Sequence, residues 1–141
     1  MNGSVVVICI CPLAGAPMKM VYNVEAIAGE GLKGDRYWAG EGSYNQGKVG
    51  NRQVTLMNTR FFKNGPFVYT DARRNIFTRD VELMDLIGKD FQIGPVHMRG
   101  IKYCYPCERP GDLCGKPKFQ DLFHDCAGLI AEITQGGILT R

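Results

Sequence analysis

Glycine and proline interrupt this chain too often for long helices. Eighteen glycines and seven prolines fall within 141 residues, and each weakens or ends a regular element through backbone freedom or a missing N–H. The pieces between them show period-two or continuous apolar patterning more than a helical stripe, which argues for a β-rich fold. Expected strands run from Val5 to Cys11, Met20 to Ile27, Gln53 to Met57, Asn75 to Thr78, Asp90 to Ile93, Val96 to Cys104 and Leu129 to Thr134. Gly136-Gly137 is expected to turn the chain back into Ile138-Leu139.

Two short helices are predicted. Asn58 would cap one running through Phe61 and Phe62 and ended by Asn64-Gly65-Pro66. In the other, Phe119, Leu122, Phe123 and Cys126 fall at i, i+3, i+4 and i+7, with Gly128 beyond its end. The glycine-rich stretch between Tyr37 and Asn51 reads as a mobile loop carrying Trp38 and Tyr44. So many short strands with so few helices predict a mainly β fold, a closed or nearly closed β-barrel that leaves few exposed edges, as a single domain over residues 1–141.

Charge narrows the partners. Seventeen Lys and Arg against fourteen Asp and Glu give only +3, scattered along the chain, so nucleic acid is not implied, whereas a compact anion is compatible. The apolar run at Val5 to Cys11 has no preceding Lys or Arg and stops at Pro12, so it reads as a buried strand rather than a signal peptide. No segment reaches the roughly 18 to 20 apolar residues of a membrane span. The expectation is a cytoplasmic protein without membrane association, its six cysteines reduced.

Among those cysteines, Cys104 and Cys107 form a Cys-x-x-Cys where a β-rich run stops, with Lys102 before it and Arg109 after it. Positive charge lowers a thiol pKa, and the thiolate is the form that binds soft metals and attacks sulfur. A zinc site would draw on Cys104, Cys107, Cys114, Cys126 and His124, but Cys114 and Cys126 stand twelve residues apart, unlike the short spacing of structural zinc halves. A thioredoxin-like dithiol would open a helix, whereas Pro106 and the following Glu108-Arg109-Pro110-Gly111 describe a turn. Cys9, Cys11 and Cys126 read as packing residues, and Cys104 reads equally well as a buried strand thiol.

Two polar segments stand out elsewhere. Asp35 followed by Arg36, after Gly31-Leu32-Lys33-Gly34, can hold a guanidinium in a forked geometry suited to phosphate. Arg74 and Asn75 stand just before a strand, while Arg73 reads as a solvated turn residue. Arg36, Arg74, Asn75 and Cys107 at strand ends of one barrel would make a site.

The ordered set Gly31 to Tyr37, Arg52-Gln53-Val54-Thr55-Leu56, Arg74-Asn75-Ile76, Val81-Glu82-Leu83, Gly88-Lys89, Gly94, Cys107 and Gly128-Leu129-Ile130-Ala131 resembles the MOSC domain, named for the C-terminal part of molybdenum cofactor sulfurase. The resemblance covers nearly the whole chain. It implies a β-barrel-like domain that binds molybdenum cofactor (molybdopterin) or carries sulfur destined for it, with Cys107 as molybdenum ligand or persulfide site. Arg36, Arg74 and Asn75 would then position the pterin phosphate. In relatives that reduce N-hydroxylated compounds, such as the mitochondrial amidoxime-reducing component, the corresponding cysteine is similar in placement to a metal ligand. The sulfurase relatives imply a different partner, a pyridoxal-phosphate cysteine desulfurase as sulfur donor. Reductase relatives also carry an N-terminal β-barrel domain that helps hold the cofactor, a part that the Trp38 to Gln46 loop or a second subunit is expected to play here. With no flavin, haem or iron–sulfur motif, a reductase would depend on an electron-transfer protein. The competing expectation is a structural or zinc-stabilised β domain without catalytic activity.

Overall fold

The computed structural model describes residues 3–42, 45, 47–50, 52–62, 65–105, 109–116, 118–123 and 128–141. Its strands are β1 (Ser4–Ile10), β2 (Lys19–Val21), β3 (Asn23–Ile27), β4 (Gly31–Leu32), β5 (Val54–Asn58), β6 (Ile76–Arg79), β7 (Asp90–Ile93), β8 (Val96–Tyr103), β9 (Leu129–Gln135) and β10 (Gly137–Thr140). They form a seven-stranded sheet in the order β2-β1-β6-β5-β9-β8-β7 and a three-stranded sheet in the order β10-β3-β4. The fold is mainly β and barrel-like, as the sequence pattern predicts, with short helical turns on its outside.

Continuous apolar runs mark strands covered on both faces, and the large sheet has two such faces. Ile8, Leu56, Ile76, Val96 and Leu129 point inward and pack with Val24, Leu32 and Leu139 of the small sheet. Alternate residues Val7, Cys9, Met57 and Phe77 point outward to a second cluster with Phe67, Phe119 and Phe123. That outer layer is aromatic, with edge-to-face pairs such as Phe67–Phe119 at 5.0 Å between ring centroids, a geometry that adds stability beyond area burial.

The expected Met20 to Ile27 strand is two strands, because the chain leaves the large sheet for the small one at Tyr22. The hairpin expected at Gly136-Gly137 does not form. β9 already has β5 on one edge and β8 on the other, so β10 crosses to pair antiparallel with β3. The short helix expected after Asn58 is a 3-10 turn. Asn58 ends β5, its Oδ1 accepting the Thr78 hydroxyl at 2.8 Å, and the turn follows over Thr59–Phe62. The predicted second helix is one turn, α2 (Phe119–Leu122), with Phe119 and Phe123 buried and Leu122 exposed; Cys126 lies outside the described residues. Where a plain turn was expected after Cys107, a further helix forms, α1 (Arg109–Cys114).

β5 and β6 pair in parallel, unlike the other neighbours. A parallel pair needs a long crossover, and here it runs over the outer face through 3-10 turns at Thr59–Phe62 and Tyr69–Ala72. That crossover delivers Arg73-Arg74-Asn75 to the start of β6, beside the end of β1. Among the described residues no helix is long and apolar enough to cross a membrane.

Candidate functional site

Three segments meet where β1 ends: Cys11 after β1, Asp35-Arg36-Tyr37 after β4, and Arg73-Arg74-Asn75 before β6. Asp35 is fully buried and organises the meeting. Its Oδ1 accepts the Cys11 N–H at 2.9 Å and Arg36 Nη1 at 3.1 Å, and its Oδ2 accepts the Tyr37 N–H at 3.2 Å. Arg36 Nη2 donates to the Tyr37 hydroxyl at 2.9 Å and to the Arg73 carbonyl at 3.1 Å, and its guanidinium lies 4.1 Å from the Tyr37 ring centroid. A buried cation is tolerable when paired and hydrogen-bonded in this way.

Asn75 is a clamp between strands. Its Oδ1 accepts the Thr55 N–H at 3.0 Å and the Thr55 hydroxyl at 3.2 Å, while its Nδ2 donates to the Cys9 carbonyl at 3.1 Å. β1 and β5 are thus held to the first residue before β6 by one carboxamide. Arg74 is buried and donates from Nη1 to the Ala72 carbonyl at 3.3 Å.

Arg73 is not the solvated turn residue of the sequence reading. Only 7% of it is exposed, its backbone is left-handed at φ 58°, and its Nη2 lies 3.5 Å from Cys11 Sγ. That sulfur also faces the carbonyls of Leu13 at 2.7 Å and Ala16 at 3.2 Å. Cys11 is therefore a buried packing residue of the outer cluster, as expected, with its sulfur additionally facing polar groups. Cys9, two residues earlier, has the apolar setting. Burial pushes its thiol up to about 12, since desolvation opposes the thiolate. Cys9 should accordingly resist alkylation at pH 8 to the last, and adduct mapping with iodoacetamide should find it unlabelled while the fold persists.

Arg73 also walls a cavity of about 180 Å³ with Met18, Asp71 and, from α1, Pro110 and Cys114. Lys116 Nζ bonds Asp71 Oδ2 at 2.6 Å, which fastens the segment after α1 to the Tyr69–Ala72 turn. Cys107 lies outside the described residues. Its flanks are described: Cys104 is buried, its N–H bonded to the Gly128 carbonyl at 2.9 Å, and α1 lines the cavity. Lys102 is exposed on β8. The loop after Tyr37 is pinned by buried Asn45, whose Oδ1 accepts the Gly42 N–H at 3.0 Å and whose Nδ2 donates to the Arg52 carbonyl at 3.1 Å; Ser43, Tyr44 and Gln46 lie outside the described residues. Among the described residues no three His, Cys, Asp or Glu side chains are grouped to hold a metal ion.

So the structure brings Arg36 and the 73–75 segment together through the Arg73 carbonyl. Both terminal nitrogens of Arg36 are engaged, and an anion reaching them would compete with Asp35 and Tyr37. The cavity is smaller than the roughly 300 to 1,000 Å³ of ordinary ligand pockets. The described walls have room for a small group such as an oxyanion and do not by themselves accommodate a pterin. Two residues escaped the sequence reading, Arg73 and Cys11. Cys11 carried one usable signal, its place just past an apolar strand and before Pro12, where a side chain leaves the ladder.

No family model matches the chain and no curated protein matches it in sequence. Solved structures do match in fold. The YuaD protein from Bacillus subtilis is similar at a TM-score of 0.75 and 14% identity, over 99% of this chain and 93% of that one. YiiM from Geobacillus stearothermophilus is similar at a TM-score of 0.68 and 13% identity, over 99% of this chain and 71% of that one. A crystal structure described as a hypothetical protein is similar at 0.71 and 14%, over 99% of this chain and 64% of that one. What these likenesses define is a fold alone, a mainly β, nearly closed barrel.

Proposed function

We propose that this chain is a MOSC-like domain that carries sulfur on Cys107 for the assembly of molybdenum cofactor. The observation that supports the reading is the small cavity of about 180 Å³ beside α1, which both Arg73 and Cys114 line. The step is an exchange without net redox: the Cys107 thiolate attacks the terminal sulfur of a donor persulfide, the new S–S bond forms as the old one breaks, and the donor cysteine leaves as thiolate. Asn75 holds β1 and β5 to the start of β6, and Arg36 ties the segment after β4 to the Arg73 carbonyl.

The cofactor itself is a soft-metal dithiolene with a phosphate. If it were bound, Cys107 would be its metal ligand and Arg36, Arg74 and Asn75 would hold its phosphate. When bound, such a group supplies two-electron chemistry, and reduction of N-hydroxylated compounds would need an electron-transfer partner.

The test uses purified, reduced protein with a pyridoxal-phosphate cysteine desulfurase and cysteine. One added sulfur atom mapped to Cys107 by mass spectrometry, and lost in Cys107→Ala, is the expected result. Sulfur found on another cysteine, or none at all, removes the carrier role. Metal analysis after expression in a cofactor-producing host separates the second role: molybdenum retained by the wild type and lost in Cys107→Ala would favour resident cofactor over carriage.

A further inference from the structure

A second and larger cavity, about 720 Å³, opens at the other end of the barrel. Ser4 and Val5 of β1 line it, whereas Cys11 stands seven residues later, about 23 Å further along an extended strand. Its origin lies in the sheet order. β2 pairs only with Ile8, Cys9 and Ile10, so the first half of β1 has β6 on one side and no described strand on the other. β7 is the far end of the same sheet. Phe91, Gln92 and Ile93 of β7 line the cavity opposite β1, which makes it the unclosed seam of the barrel.

Polarity is graded through this seam. Leu56 and Leu83 lie at its floor and are buried. Val5, Val81, Leu86, Phe91 and Ile93 make the walls and are half-exposed. Ser4, Gln92 and Thr140 stand exposed at the mouth. An apolar interior with a few polar groups at the entrance, in a volume within the roughly 300 to 1,000 Å³ of ligand sites, is the anatomy of a small-molecule pocket. Arg141 also lines the cavity, its guanidinium 5.7 Å from the Tyr22 ring centroid; the other mouth groups are hydroxyls and an amide, which match an uncharged hydrogen-bonding head. We propose that the seam between β1 and β7 binds a small uncharged amphiphile, with an aliphatic or aromatic body against the walls and a hydroxyl or carbonyl head at Ser4, Gln92 and Thr140. This site is independent of Cys107 and of the sulfur reading.

Nile red, uncharged and fluorescent in apolar surroundings, is the probe, with 1-decanol and decane as competitors. Saturable binding of one dye per chain is expected, displaced by decanol at least tenfold better than by decane. Val81→Trp, which fills the wall, should weaken dye binding at least tenfold while cooperative melting persists. Thr140→Trp at the mouth supplies a second obstruction should the first variant fold poorly. Non-saturable dye uptake, equal competition by decane, or unchanged affinity in both variants overturns the proposal. So does one dye per two chains together with dimeric gel filtration, because the seam would then be an interface between copies.

Discussion

Asp35→Ala should lower the unfolding free energy by about 3 to 5 kcal/mol, the usual effect of stranding one member of a buried ion pair. The carboxylate is fully buried and accepts from Cys11 N, Arg36 Nη1 and Tyr37 N, so its removal leaves a buried guanidinium and two backbone donors without their partner. For a chain of this size the melting temperature should fall by roughly 6 to 20 °C. Asp35→Asn should cost less, about 1 to 3 kcal/mol, because one oxygen survives while an N–H₂ replaces the acceptor facing Tyr37 N. Urea unfolding of both variants checks this. A loss below about 1 kcal/mol in Asp35→Ala, the range of an exposed pair, would mean that solvent reaches the Arg36 guanidinium and that the three segments are not locked together. The same coupling makes Arg36→Ala a stability variant: lost function there reports unfolding unless the melting curve is measured beside it.

Gly128→Ala carries the next largest expectation. Gly128 has φ of 116°, outside the regions side chains adopt, and an added Cβ would collide with the Leu56 carbonyl on β5. Backbone strain and overpacking each cost about 1 to 3 kcal/mol, so about 2 to 6 kcal/mol together. The local consequence is more telling than the global one. The Gly128 carbonyl receives the Cys104 N–H, so displacing it frees the strand end that leads into Cys107. Alkylation of Cys104, slow in the wild type because the residue is buried, should accelerate in Gly128→Ala under conditions where most molecules remain folded. Wild-type labelling of Cys104 in the variant would show that the two strands stay paired without this bond.

The contrast between these residues and their sequence context shows where local pattern stops informing. Gly128 looked like a helix-ending glycine because Phe119, Leu122 and Phe123 have helical spacing; only the approach of β5 shows why nothing larger fits. Asn58 looked like a helix cap, and its acceptor went instead to Thr78, twenty residues away. Arg73 looked solvated because a run of two arginines before a strand usually is, yet the crossover between parallel strands carries it over the outer face and buries it against Cys11 and α1. Asp35 next to Arg36 was legible as a pair, and the pair forms.

Period-two patterning and the density of glycine and proline determined, without further help, that this chain is mainly β, where most of its strands lie, and that the barrel is capped by little helix. Those features are local: side-chain alternation and backbone freedom act within a few residues. Tertiary structure alone decided which strands became neighbours, why β10 left β9 for β3, and which cations became buried. A hydrogen bond from Arg36 to the Arg73 carbonyl, or from Asn75 to the Cys9 carbonyl, spans tens of residues, and its existence depends on strand order. Strand order in turn follows from which edges are already occupied when the two faces of the sheet are covered, a condition of the whole fold rather than of any segment.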